Sequence, residues 1–266
     1  LGYQHDLGRN LLLKADLSYA NRTQLYNNSY YAIKTYDDRH LTSNNPLMPD
    51  APATDRSILF PQNRALTLAA SLTYTFDQQY VTRPYGRTYE PSPYPQIRFN
   101  YRKGINGVFG SDVNYDFASI EIFQEHLTTG LMGFSSFKFA GGDFFNRSRL
   151  YFMDYNHFQG NQGTTFDPTP GSFHFLPFYT YSASGAYFEG HYEHDFAGYF
   201  LNNIPFIRKL KLEEIIGVNY LNESNNRNYS EFYIGIQRLI FRIDYGISFA
   251  GQSKYLQGFR IFYGIK

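Results

Sequence analysis

Glu189, His191, Glu193 and Asp195 recur at every second position of the stretch Phe188–Phe196. In an extended strand, residues i and i+2 share a face about 6.5–7 Å apart, so two of the four could share one ion. An imidazole with carboxylates would suit zinc or manganese. The stronger reading is a polar wall, its carboxylates paired with Lys or Arg from neighbouring strands. Asp116, Glu121 and Glu125 form a second acidic group, of the kind glycoside hydrolysis needs in pairs. Nothing near them supplies the asymmetric surroundings that would split their pKa values. There is no G-x-S-x-G nucleophile elbow, no Gly-rich phosphate loop and no EF-hand loop. We expect no enzyme, no bound metal and no cofactor.

The elements that carry these residues alternate with period two. The 266 residues include 26 Tyr and 26 Phe but no Trp and no Cys. The absence of Cys excludes thiolate zinc sites, iron–sulfur clusters and Cys nucleophiles. A formal net charge of +1 gives no long-range pull on nucleic acid, so none is expected as a partner. No apolar run is long enough for a transmembrane helix. Leu66, Leu68, Ala70, Leu72, Tyr74 and Phe76 share one face of Ala65–Phe76, with Thr and Ser opposite. Similar alternation marks Leu11–Tyr19, Gln96–Arg102, Phe188–Phe196, Leu210–Tyr220, Phe232–Ile236, Phe241–Phe249 and Phe259–Ile265. Near Ala118-Ser119 the apolar phase changes, from Val113, Tyr115 and Phe117 to Ile120 and Ile122, which predicts a bulge or bend. Leu131–Ala140 is apolar on both faces. The sum is about ten strands, plus a remnant at Leu1–His5, in an all-β fold.

Short connections such as DLGRN, HLTTG, NNIPFIRK and RLI alternate with long ones, about 21–63 and 141–184. Asp77–Pro95 breaks the rule by being long on the short side. Strands near the ~9–11 residues that cross a bilayer core, with short turns at one end and long loops at the other, predict a transmembrane antiparallel β-barrel. Its long loops, about 21–63 and 141–184, would be extracellular. A soluble β-sandwich also alternates, but its strands usually stop after about 5–6 residues. Tyr19, Tyr74 and Tyr220 would supply the aromatic girdle at the membrane interfaces.

The stretches YPQIRFNYRKGI, GSDVNYDF, HFQGNQ and FAGYFLNNIPFIRKLKLEEIIGVNYL resemble a family of Bacteroidetes-type outer-membrane barrels. Those proteins carry an N-terminal carboxypeptidase-regulatory-like domain and are distantly similar to the BamA/TamA outer-membrane assembly superfamily. The resemblance runs over roughly Leu66 to Lys266 and is sharpest in Phe196–Tyr220. It implies that residues 1–266 are the C-terminal ten to eleven strands of a 16-stranded barrel in the bacterial outer membrane, with about five strands missing upstream. Counted back from the last strand, Leu131–Ala140 becomes the eleventh and Gly185–Ala197 the twelfth. The long loop between them falls where the superfamily has its sixth extracellular loop. That loop's Val/Ile-Arg-Gly-Phe/Tyr tip is absent; Gly160-Asn161-Gln162 stands in its region. By analogy, Glu189, His191, Glu193 and Asp195 would form a lumen docking point, with Arg147, Arg149, Asn161 and Gln162 as loop contacts.

The resemblance further implies a non-enzymatic role in or beside outer-membrane protein assembly or export. The partners would be outer-membrane lipid and other outer-membrane proteins of a multi-subunit complex. A channel or transporter keeps the barrel. A soluble β-rich protein binding glycans or peptides does not. Glu214 sits in phase with Leu210, Leu212, Ile216 and Val218. A carboxylate facing lipid is expensive near the midplane, so Glu214 is expected to turn inward, reach the interface or be covered.

Overall fold

The protein is seen in a computed structural model that describes residues 1–8, 10–25, 43, 45–48, 51, 57, 60–161, 163–165, 169–224 and 227–264. Among the described residues fifteen strands follow one another: β1 (Gly2–Gly8), β2 (Leu11–Arg22), β3 (Asn63–Thr75), β4 (Tyr80–Arg83), β5 (Gly86–Tyr89), β6 (Gln96–Gly104), β7 (Asn114–Thr128), β8 (Phe134–Arg149), β9 (Asn156–His157), β10 (Ser182–Ala183), β11 (Tyr187–Asp195), β12 (Glu213–Glu223), β13 (Arg227–Arg238), β14 (Phe241–Ala250) and β15 (Ser253–Tyr263). Eleven of them form one antiparallel sheet in the order β1-β2-β3-β6-β7-β8-β11-β12-β13-β14-β15. The remaining four form two small pairs, β4 with β5 and β9 with β10. The fold is all-β, and β1 is a full strand of the sheet rather than a remnant.

The two faces of the sheet are inverted relative to a water-soluble protein. Along β14, Arg242, Asp244 and Ser248 are buried, while Phe241, Ile243 and Tyr245 are exposed. Along β13, Glu231 is 0% exposed and Ile234 is 63% exposed. Period two makes this inevitable: once Glu231 is fixed on one face, Phe232, Ile234 and Ile236 occupy the other. Tyr19, Tyr74 and Tyr220 are exposed on the apolar face near strand ends.

The connection 150–186 covers the polar face. Its Phe158, Phe173 and Leu176 pack with Tyr115, Phe117 and Phe144 into one buried cluster. Arg22 of β2 grips Asp154 of this segment through two bonds of 2.8 and 2.7 Å.

The register of β7 against β8 shifts at Asp116/Phe117, beside the bulge or bend expected near Ala118-Ser119, while the phase of β7 itself runs on. Tyr115, Phe117 and Ser119 are all buried in one continuous phase, while Ile120 and Ile122 face outward. The two apolar phases serve two environments, the segment on one side and the open face on the other. The register irregularities of β7 against β8 lie at Asn114/Asp116, Asp116/Phe117 and Gln124/Leu127. The same covering lengthens β8 to Arg149, so the long connection starts at 150, not 141. Its last residue before β11 is 186.

At the other end, 76–95 folds back as the β4–β5 hairpin, whose Tyr89 hydroxyl and Arg87 guanidinium both reach Asp6 of β1. The connection 196–212 is longer than NNIPFIRK suggests. It winds through two 3-10 turns, Leu201–Asn203 and Arg208–Leu210, so β12 begins only at Glu213. Most of 23–62 lies outside the described residues.

Glu214 is covered by that connection. Its carboxylate accepts the Leu201 amide and its carbonyl accepts the Phe196 amide at 2.8 Å. The covering comes from the chain itself rather than from an inward turn.

Among the described residues, each outer strand has one neighbouring strand in the sheet. β1 meets β2 and β15 meets β14. Thr165 forms an isolated parallel bridge to Ile261 on the free side of β15, and Thr164 accepts the Ile261 amide at 2.7 Å.

Candidate functional site

The strands β11 to β15 present their polar positions to one another beneath residues 171–176. Glu231 is the centre of this array. Its carboxylate accepts the backbone amides of His174 (2.6 Å) and Phe175 (2.9 Å), the Asn219 amide group (2.6 Å) and the Tyr229 hydroxyl (2.9 Å). Four donors fill the acceptor sites a carboxylate offers. Two of them belong to the connection's main chain, so Glu231 clamps the segment without reading its side chains. Arg260 adds a bond to the His174 carbonyl at 2.7 Å and stacks on the Phe175 ring.

A second cluster lies beside it. Arg242 bridges Glu193 of β11, at 3.0 and 2.6 Å, and Asp244 of its own strand, at 2.9 and 2.7 Å. Arg242 and Asp244 are both wholly buried. Two carboxylates on one guanidinium leave no buried charge uncompensated on the cation. The Tyr233 hydroxyl joins at Glu193, 3.1 Å away, and its ring lies 4.0 Å from that of His174.

Gly217 makes room for this ring. A Cβ there would stand 2.0 Å from Tyr233 Cζ. Gly217→Ala should therefore displace Tyr233 from both Glu193 and His174, lowering stability by about 1–3 kcal/mol. Thermal unfolding of the purified variant measures this; an unchanged midpoint would show that the ring has slack.

The sequence-singled residues separate into different neighbourhoods. Glu189 pairs with Lys138 of β8 at 2.7 Å and stands 3.6 Å from His191, which meets Asn219 at 2.9 Å. Glu193 belongs to Arg242. Asp195 turns away to accept the Ala197 amide at 2.8 Å, ending its strand. Arg147 and Arg149 are on β8 and not in the loop, because the strand runs past them. Arg147 pairs with Asp143 at 3.1 Å, and Arg149 is exposed opposite Asn114. Asn161 braces the docked segment from within: its amide lies 3.4 Å from the His174 carbonyl, and its own N–H donates to Leu176 at 2.6 Å. Gln162 lies outside the described residues. Asp116 and Glu121 fall on opposite faces of β7, Asp116 with Lys103 and Glu121 with Arg98 and Asn100.

The docking residues Glu231, Arg242, Asp244 and His174 were not singled out by sequence. Arg242 and Asp244 were visible as polar positions alternating with Phe241, Ile243 and Tyr245. His174 lies in an aperiodic loop, and a clamp on main-chain amides leaves no motif.

His174 is buried, and burial together with the nearby Arg242 guanidinium holds its pKa well below the ordinary 6.5. Asp244 stands 3.4 Å from it but is already engaged by Arg242. Its other facing groups are His191, Glu231, Tyr233 and Arg260. His157, in the same connection, is lowered in the same direction by burial. An undocked His174 takes up a proton near pH 6.5, whereas the docked one stays neutral. The docked state is therefore fully favoured above that pH and loses ground as pH falls through it. The protection factor of the Phe175 amide, with exchange corrected for its intrinsic pH dependence, should fall between pH 7.5 and 5, and less so in His174→Phe. Flat protection across that range would contradict this.

No curated protein matches the chain. The family model described as the C-terminal domain of a family of unknown function, DUF5686, matches residues 1–236, from the first strand through most of β13. The chain belongs to the DUF5686 family, as its C-terminal domain.

Proposed function

We propose that the sheet is the C-terminal portion of a closed, 16-stranded β-barrel in a bacterial outer membrane. The inverted faces carry this reading. Ile234, Ile236, Ile243 and Phe259 stand exposed on one side while Arg242, Asp244 and Glu231 are buried on the other. In water that arrangement forfeits about 25 cal/mol for every Å² of apolar surface left uncovered; in lipid it is the expected one. The strands of the sheet run from 7 to 16 residues, which brackets the crossing length. Unpaired strand edges cost several kcal/mol per polar group in a bilayer. The edge of β1, and that of β15 beyond its contact with Thr164 and Thr165, therefore call for closure by further strands.

The protein acts without catalysis, in or beside machinery that assembles or exports outer-membrane proteins, alongside other outer-membrane proteins of a complex. Support comes from the segment clamped between β8 and β11, which the strand count, taken with the resemblance, matches to the superfamily's long sixth extracellular loop. Here a wall carboxylate holds loop amides, in place of a loop arginine. Voids of about 750 and 700 Å³ border the polar face, and they favour the channel reading as the second choice.

Membrane fractionation with a carbonate wash, followed by heat-modifiable gel mobility, tests the barrel. Retention in the outer membrane with a mobility shift is expected. Solubility without detergent would overturn it in favour of a soluble β-rich binding protein. Conductance in planar bilayers would move the role from assembly to transport.

A further inference from the structure

The connection 196–212 folds against the apolar face rather than over the polar one, since it caps Glu214 there. It gathers Arg208, Lys209 and Lys211, all exposed, beside exposed Phe206 and Leu210. Arg238, exposed at the end of β13, lines a groove of about 460 Å³ together with Leu212, the residue that follows Lys211. The groove runs along the apolar face between Ile234 and Ile236 on one side and Ile243 and Phe259 on the other.

The acidic groups nearby are already engaged. Glu213 accepts from Gln237 at 3.3 Å, Glu214 from Leu201, and Asp195 from Ala197. Among the described residues, the ion pairs of the sheet involve other cations, not these four. Arg238 lines the groove itself, and exposed Arg208, Lys209 and Lys211 immediately precede its Leu212 in the chain; positive charge beside an apolar groove fits one kind of occupant, a negative head joined to a hydrocarbon tail.

We infer that this rim binds an anionic phospholipid, its phosphate on Arg208, Lys209, Lys211 and Arg238 and an acyl chain in the groove of β13–β15. The inference rests on the membrane reading above. Basic residues at a bilayer surface attract anionic lipid with an energy of order 1 kcal/mol each, and exposed Phe and Leu beside them enter the interface. Free phosphate would satisfy the cations but leave the groove empty, so a lipid source is the one committed to.

The test exchanges the full natural protein through mixed micelles of phosphatidylglycerol and phosphatidylcholine, then counts retained lipid by native mass spectrometry. Wild type should retain phosphatidylglycerol about tenfold over phosphatidylcholine. The variant R208Q/K209Q/K211Q/R238Q should lose that preference, and R147Q/R149Q, with two cations removed from the other rim, should keep it. Heat-modifiable mobility verifies that each variant is folded; should the fourfold variant fail this, R208Q/K209Q should show a reduced preference alone. Equal retention of the two lipids by wild type would overturn the inference. So would a preference that survives the fourfold change, or one abolished by inorganic phosphate. Loss of a co-purifying protein, with lipid preference intact, would assign the face to a protein partner instead. A protein that never enters the membrane fraction sinks the membrane reading; a membrane protein without lipid preference sinks only this site.

Discussion

Glu231→Gln should release residues 171–176 from the sheet. The four groups around Glu231 all donate, two of them main-chain amides of the connection. A glutamine amide keeps one acceptor oxygen and turns an N–H₂ toward two of those donors. Each buried donor left without an acceptor costs about 1–3 kcal/mol, so docking should weaken by roughly 2–6 kcal/mol. Arg22 would still hold Asp154, so the connection should loosen at one end only. Limited proteolysis should produce new cuts near 169–180 in the variant and none in wild type. Equal protection in both would mean that packing of Phe173 and Leu176 suffices without the clamp.

Removing Arg242 should hurt the sheet itself. Arg242→Met leaves Glu193 and Asp244 facing one another without the cation that both now bond. Breaking a buried pair from one side typically costs about 3–5 kcal/mol, because a charge is left uncompensated. Lysine should rescue poorly, since one ammonium cannot make the forked contacts of a guanidinium. Adding Glu193→Gln and Asp244→Asn to the methionine variant should restore much of the loss. Thermal unfolding in detergent reads all of these; a methionine variant as stable as wild type would show that the carboxylates find other partners.

The polar and apolar faces were legible because they obey period two. Phe241, Ile243 and Tyr245 against Arg242 and Asp244 needed only the alternation to be assigned. What was hidden followed from the covering segment. Tyr115 and Phe117 looked out of phase with Ile120 and Ile122 because one side packs under 150–186 and the other stays exposed, a distinction that hydrophobicity alone does not make. β8 looked shorter than it is for the same reason, its Phe144 buried under the segment while Phe139 and Phe145 are exposed. Arg147 and Arg149 therefore read as loop residues in the sequence, although they belong to β8. The sequence of 196–212 reads as a short turn with a strand starting at Leu210, because Leu210 and Leu212 continue the alternation of β12 without belonging to it. At the site, Glu189 and Glu193 were legible as wall carboxylates seeking cations. The Glu231 clamp was not, since its partners are amides 56 and 57 positions away.

The central claim is that the exposed apolar face meets lipid. The absence of Cys from the chain makes single-cysteine spin labelling clean. Nitroxides at Ile234→Cys and Ile243→Cys, on the apolar face, and at Ser71→Cys and Thr73→Cys, beside the polar voids, are compared in bilayers for collision with oxygen and with a water-soluble nickel chelate. The account predicts that the first pair collides with oxygen and is shielded from nickel, and that the second pair shows the reverse. Nickel access at Ile234 and Ile243 equal to that at Ser71 and Thr73 would place water on both faces and contradict it.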